Sequence, residues 1–330
     1  MLNPERKSSP VNLLENKTPQ EIKNQINGLN YDDEKSVFEV AKDLWKEWFV
    51  NKIDNNTINY FVNKITEKWE SKTMNEVAKN LNPVLVDKIN KETVNSFVDK
   101  VCIKKEPDII KAVSERLADR KLANKMWEKT DKFVKSVWEL KEINSINEVA
   151  KNLRSEEVIK QVNKETLDSF VNKVIEIGKA TSMKEVAKNL GHEKFVNKVS
   201  DKIVKSFVDN VCVNKSSETM EEVAKSLSNK EFVNKLGEIT DKFVNAVSEK
   251  SDFVSMMEVA KNSEDFFVNK LSKGTVESFV NKVIWKEYED CIKEVSKNKN
   301  MMNKISESTK SLIEKKLSQT EDIIDKADWN

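Results

Sequence analysis

Few side chains in this sequence are of a type and spacing that could do chemistry. The only histidine, His192, has no Cys or second His near it, so neither a metal site nor a His-based acid–base pair can be assembled around it. Cys102, Cys212 and Cys291 are an odd, widely spaced set without a C-x-x-C, the pattern of reduced thiols in a cytosolic protein. Cys102 and Cys212 fall at the same place of an internal repeat, where other copies carry Trp138, Ile175 or Ile284, which reads as a core slot. No G-x-x-x-x-G-K-[ST], no G-x-G-x-x-G and no H-E-x-x-H is present. Carboxylates are abundant, but in a chain with 34% charged residues, carboxylate pairs at helical spacing are what a solvated face contains. The reading is therefore a non-enzymatic protein with no catalytic residue, no metal and no cofactor. Trp45, Trp48, Trp69, Trp127 and Trp138 gather in the first repeats; they are expected in the core, with a sticky surface cluster as the alternative.

The elements that position these residues are written in one unit, seen in Ser182 to Asn214. Met183, Val186, Ala187 and Leu190 stand at i, i+3, i+4 and i+7, the stripe of an amphipathic helix A. Ser182 followed by Glu185 has the form of a capping box at its start. Phe195, Val196 and Val199 mark a helix B, and Phe207, Val208, Val211 and Cys212 a helix C. The unit starts again at Ser36, Thr73, Asp108, Ser145, Thr219, Ser255 and Asp290, and six of the eight starts keep the Ser/Thr and Glu pair. FVNK recurs at Phe49, Phe61, Phe170, Phe195, Phe232, Phe267 and Phe279, with FVDK at Phe97. In helix C, Thr57, Thr93, Thr130, Thr166, Thr240 or Thr275 precedes the Phe by three or four residues, as a local cap would. Pieces this short are unstable alone and must stack on one another.

The prediction is an all-α fold: a curved α-solenoid of about eight 36-residue, three-helix repeats over residues 36–318. Residues 1–19, polar and Pro-punctuated, read as a disordered tail. Residues 20–35 read as a capping segment, its helix opened by Thr18 and Pro19 and closed at Gly28. Residues 319–330 read as an acidic, frayed C-terminal tail.

The formal net charge of +1 conceals 57 basic and 56 acidic residues, so no global field draws the chain to nucleic acid or membrane. The arginines are only Arg6, Arg116, Arg120 and Arg154, few for a surface that grips phosphates. No signal peptide and no apolar run of about 18 residues is found, which predicts a cytoplasmic location, with another export route left open. A monomer is expected.

A period near 36, eight units, three helices per unit and a helix C opening with two apolar residues resemble the Pumilio (PUF) family of RNA-binding repeat proteins, over about residues 36–318. The nearest stretch is Asn59-Tyr60-Phe61-Val62-Asn63-Lys64-Ile65. The resemblance implies that Asn59 and Asn63 read a base edge and that Tyr60 stacks between bases. It carries over to the trios Asn95, Ser96, Asp99; Asp131, Lys132, Lys135; Asp168, Ser169, Asn172; Lys205, Ser206, Asp209; Asp241, Lys242, Asn245; and Glu277, Ser278, Asn281. Lys64, Lys100, Lys173 and Lys282 would then contact phosphate. The middle residue of the later trios is Ser or Lys, which cannot supply the roughly 1–3 kcal/mol per base of aromatic stacking. The first functional expectation is accordingly a scaffold that holds a protein partner on the helix C face; the alternative is PUF-like binding of single-stranded RNA on the same face.

Overall fold

The computed structural model describes residues 17–327, with side chains to Gln319. Residues 1–16 of the expected N-terminal tail and residues 328–330 lie outside the described residues. The described residues form helices and turns, with no strand.

A helix at Pro19–Asn27 comes first, capped by Thr18 and closed at Gly28; Thr18 and Glu21 form a reciprocal capping box. Eight repeats of three helices follow. Helix A spans Glu34–Asp43, Ser71–Lys79, Pro107–Arg116, Ile143–Asn152, Ala180–Asn189, Ser217–Lys225, Phe253–Lys261 and Glu289–Lys297. Helix B spans Glu47–Lys52, Pro83–Lys88, Arg120–Lys125, Glu156–Gln161, Glu193–Lys198, Lys230–Leu236, Asp265–Val268 and Lys299–Lys304. Helix C spans Asn55–Lys68, Lys91–Lys104, Thr130–Leu140, Lys164–Ile177, Asp201–Asn214, Ile239–Lys250, Lys273–Trp285 and Glu307–Ala327. The last of these carries helical backbone into the segment read as a C-terminal tail.

The chain divides into two compact units between Gln161 and Val162, so helices A and B of repeat 4 belong to the first and its helix C to the second. Within each unit helix A packs on the next helix A, B on B and C on C, giving three rows of stacked helices. The all-α tandem-repeat class read from the period is the observed one. Each layer alone exposes its apolar stripe, and stacking removes that stripe from water on both sides. Every Phe of the FVNK and FVDK motifs (Phe49, Phe61, Phe97, Phe170, Phe195, Phe232, Phe267 and Phe279) is at most 1% exposed, the core of these rows.

The N-caps of helix A lie two or three residues before the expected ones. Helix A of repeat 5 begins at Ala180, so Ser182 sits in its first turn, and Lys179 at the N-cap makes no side-chain bond. In repeats 1, 2, 4 and 7 the cap is an acid: Asp33, Glu70, Glu142 and Asp252 accept the N–H of Ser36, Thr73, Ser145 and Ser255. A carboxylate at a helix N-terminus also meets the positive end of the helix dipole, which a hydroxyl does not exploit. Helix C repeats the lesson: Asp54, Asn90, Asn163 and Ser272 are the caps, and Thr57, Thr93, Thr166 and Thr275 present the N–H that is capped.

Helix C ends on a left-handed residue in repeats 1 to 6: Trp69, Lys105, Lys141, Gly178, Lys215 and Ser251. Only Gly178 adopts this conformation without a Cβ penalty. Ser251 has φ 54°, and its hydroxyl bonds only within its own turn, to Ser248 and Glu249 carbonyls. Ser251→Gly should therefore stabilise the fold by about 0.5–1 kcal/mol, read as a rise in melting temperature, while Gly178→Ala should lower it.

Candidate functional site

The recurring polar residues of the repeat are mostly spent on holding one repeat to the next. In the helix A row, Asn80 donates to the Ala41 carbonyl and Asn152 to that of Ser114, both at 3.0 Å. In the helix B row the final Lys reaches back to the end of the preceding helix B. Lys88 donates to Ile53 at 3.2 Å, Lys125 to Val86 and Ile89, Lys235 to Val199 at 2.7 Å, and Lys304 to Val268 and Leu271. Helix C-termini expose carbonyls without intrahelical donors, and a cation there is favoured by the dipole. This gives the Lys of FVNK a structural task that the sequence did not disclose.

The helix C row contains the predicted site residues. The first residue of every trio (Asn59, Asn95, Asp131, Asp168, Lys205, Asp241, Glu277) is half-buried. Four of them accept the backbone N–H that opens helix C of the next repeat. Asn59 Oδ1 takes Asn90 at 2.8 Å, Asp168 takes Ser200 at 2.9 Å, Asp241 takes Ser272 at 2.9 Å, and Glu277 takes Ser306 at 2.7 Å. In repeats 3 and 6 the residue before helix C is already in helical conformation, Lys129 with ψ −12° and Glu238 with ψ −19°, and ion pairs take over. Asp99 is held by Lys129 at 2.7 Å and Lys132 at 2.6 Å; Lys205 meets Glu238 at 3.0 Å, and Lys242 meets Asp209 at 2.8 Å. Burial raises the Asp99 carboxyl, but the two lysines outweigh it and hold the pKa below the ordinary aspartate value. Hydrogen bonds from Thr309 and Ser306 do the same for Glu277 against its desolvation. Asn95 keeps a buried Oδ1 without a partner, because the N–H it would take has turned away in repeat 3.

The middle and third trio residues face outward. Tyr60, Ser96, Lys132, Ser206, Lys242 and Ser278 are exposed and Ser169 half-buried; Asn63, Asp99, Asp209 and Asn245 are half-buried, and Lys135, Asn172 and Asn281 exposed. Tyr60 stands edge-on to Tyr31, ring centroids 6.0 Å apart, with Lys64 over its ring at 5.8 Å. Of the expected phosphate contacts, Lys64 pairs with Glu67 at 2.7 Å, Lys173 with Glu176 at 2.6 Å, and Lys282 lies over the Trp285 ring at 4.6 Å.

Sequence reasoning missed a second set on this face. Ile103, Val213 and Trp285 lie four residues beyond Asp99, Asp209 and Asn281, on the same helical stripe. In the second unit a groove of about 530 Å³ runs beside Trp285, lined by Asn245, Ser248, Glu249, Ser278, Asn281 and Lys282.

His192 caps helix B of repeat 5 without a side-chain bond and is exposed. Cys102, Cys212 and Cys291 are buried and unpaired. Burial pushes the Cys212 thiol up to about 11 and the Cys291 thiol to about 12, which makes both poor nucleophiles. Among the described residues no group of three His, Cys, Asp or Glu side chains could hold a metal, and no helix is long and apolar enough to cross a membrane. Of the early tryptophans, Trp45 and Trp127 are 64% and 53% exposed, and Trp48, Trp69 and Trp138 are half-buried.

Fold and face together define an all-α tandem-repeat protein. No protein-family model matches the chain, and no curated protein matches it. Among solved structures it is similar to a circular tandem repeat protein with novel repeat topology and enhanced subunit contact surfaces, at 10% identity, over 94% of this chain and 96% of that chain, with a TM-score of 0.38. It is also similar to a chain from a computational design of self-assembling cyclic protein homooligomers, at 13% identity, over 91% of this chain and 99% of that one, with a TM-score of 0.14. Neither likeness is strong enough to bear on function.

Proposed function

We propose that this chain is a non-enzymatic helical-repeat scaffold that holds an extended segment of a protein partner on its helix C face. One observation carries the reading. The three most exposed large hydrophobic side chains among the described residues are Val213 at 73%, Trp285 at 68% and Ile103 at 66%, and all three occupy the same helix C position, in repeats 5, 7 and 2. Exposed apolar anchors among polar neighbours are how interfaces gain affinity. Beside them Asn172 and Asn245 have amides to offer to a bound backbone, and Trp285 borders the groove. The half-buried first trio residues shape the face rather than contact the partner.

Single-stranded RNA is the second reading, favoured by Tyr60 and Trp285, two exposed rings with lysines over them. Two stackers are few for a mode that uses one base per repeat.

The test offers the purified chain a displayed library of extended peptides and, separately, a random pool of single-stranded RNA at about 50 and 200 mM salt. Peptide selection is expected. Trp285→Ala should weaken the selected peptide about 30-fold, as loss of roughly 2 kcal/mol at an aromatic anchor does. Enrichment of an RNA motif whose binding collapses with salt, and is lost in a Lys64→Glu, Lys173→Glu variant, would replace the protein reading with the RNA one.

A further inference from the structure

Six residues after its buried Phe, helix C of repeats 1 to 7 carries an exposed position. It holds Glu67, Glu139, Glu176 and Glu249 in repeats 1, 3, 4 and 6, and the anchors Ile103, Val213 and Trp285 in repeats 2, 5 and 7. Every glutamate in this set has a lysine. Lys64 and Lys173, three residues earlier on the same helix, reach Glu67 and Glu176 at 2.7 and 2.6 Å; Lys105 and Lys215, from the preceding repeat, reach Glu139 and Glu249, both at 2.7 Å.

The anchors break this pairing. Lys100 and Lys282 stand where Lys64 and Lys173 do, three residues before Ile103 and Trp285, but an apolar side chain replaces the carboxylate they would meet. A second lysine follows each of these anchors directly, Lys104 and Lys286. None of the four meets a carboxylate among the described residues, and Lys282 and Lys286 lie over the Trp285 ring at 4.6 and 4.8 Å. At Val213 both flanking positions are Asn, Asn210 and Asn214, bonded to each other at 2.7 Å. Repeats 2 and 7 thus each set an apolar anchor between two uncompensated cations, and repeat 5 offers an apolar anchor alone.

Resting on the reading above, that helix C holds a protein segment, we propose that the segment is acidic. It presents an Asp or Glu carboxylate to Lys282 and Lys286, or in the same way to Lys100 and Lys104, beside an apolar residue packed on the anchor. The partner's carboxylate takes the place of the glutamate that repeats 1 and 4 carry at this position. A basic segment would meet like charge at both anchors, and the acid lining the groove beside Trp285, Glu249, is already held by Lys215. An RNA strand carries a phosphate at every nucleotide and would run one past Glu249 as well. A base stacking on Trp285 would also have to displace the lysines over its ring.

The test selects peptides from a displayed random library on the purified full-length chain, and Asp or Glu beside an apolar residue is expected among them. One selected peptide, dye-labelled, is titrated at about 50 mM salt against the parent and a Lys100→Gln/Lys104→Gln/Lys282→Gln/Lys286→Gln variant, with the peptide's acid kept or changed to its amide. Losing either the lysines or the acid should weaken binding about fivefold, as exposed ion pairs allow, and losing both should weaken it no further. Additive losses would overturn the proposal, because the acid would then bind elsewhere. Peptides without an acidic preference, weakened by Trp285→Ala but not by loss of the lysines, would overturn the acidic segment and leave the helix C reading standing. Enrichment of RNA alone from a random single-stranded pool, or of neither ligand, would overturn both.

Discussion

Phe207→Ala should cost the second unit about 3–5 kcal/mol of stability, the range for deleting a fully buried aromatic side chain. Phe207 has no exposure and lies on helix C of repeat 5, which packs on helix C of repeats 4 and 6 and on helix B of repeat 6. The cavity would therefore open at the junction of three layers, and the short helices around it have no intrinsic stability with which to close it. In a stacked array the stability of a repeat and of its interfaces add, so the loss is felt by the neighbours before the distant repeats. Urea denaturation followed by far-UV circular dichroism would measure the loss, and hydrogen exchange should rise first in repeats 4 to 6. A change below about 1 kcal/mol would mean that the layers do not stack as described.

The second large effect concerns a charged residue. Lys125→Met keeps the aliphatic stem in its half-buried channel and removes only the ammonium, which donates to the carbonyls of Val86 and Ile89. Burial pulls the Lys125 pKa below the ordinary lysine value, so the ammonium is held in a place where charge is disfavoured. Two carbonyls at the end of a helix would lose this donor at once. At roughly 1–3 kcal/mol for each buried polar group left unmade, the expected loss is about 2–4 kcal/mol. Lys270→Met, at an exposed lysine that ends an FVNK motif without such a bond, should shift the urea midpoint little. If the two variants behave alike, the lysine clasp contributes nothing and the repeat is held by its apolar core alone.

The caps and clasps also show why the tasks of the recurring polar residues are hard to read from sequence. Ser182 and Glu185 have the spacing of a capping box, yet the acid three residues before the equivalent Ser or Thr takes the N–H in repeats 1, 2, 4 and 7. Both patterns were present in the sequence, and the carboxylate prevails because it accepts more strongly and meets the dipole. In the sequence Ile103, Val213 and Trp285 have a core-like setting next to Cys102, Cys212 and Ile284, and only their 66–73% exposure separates them from those buried neighbours.

What the sequence determined by itself is the class of fold. Apolar residues at helical spacing, punctuated by turns and repeated about every 36 residues, leave stacked helices as the only way to remove the stripes of Phe49 through Phe279 from water, and that argument needs no coordinates. What only the tertiary structure decided is which side of each recurring polar residue faces solvent. Asn59, Asp168 and Asp241 stand on the same helical face as Tyr60 and Asn245 by periodicity, yet they accept N–H groups from the next repeat, more than thirty residues away in each case. The offset between successive layers makes that choice: it sets how far one helix C slides along the next, and it arises from the fit of side chains across the interface rather than from any local pattern.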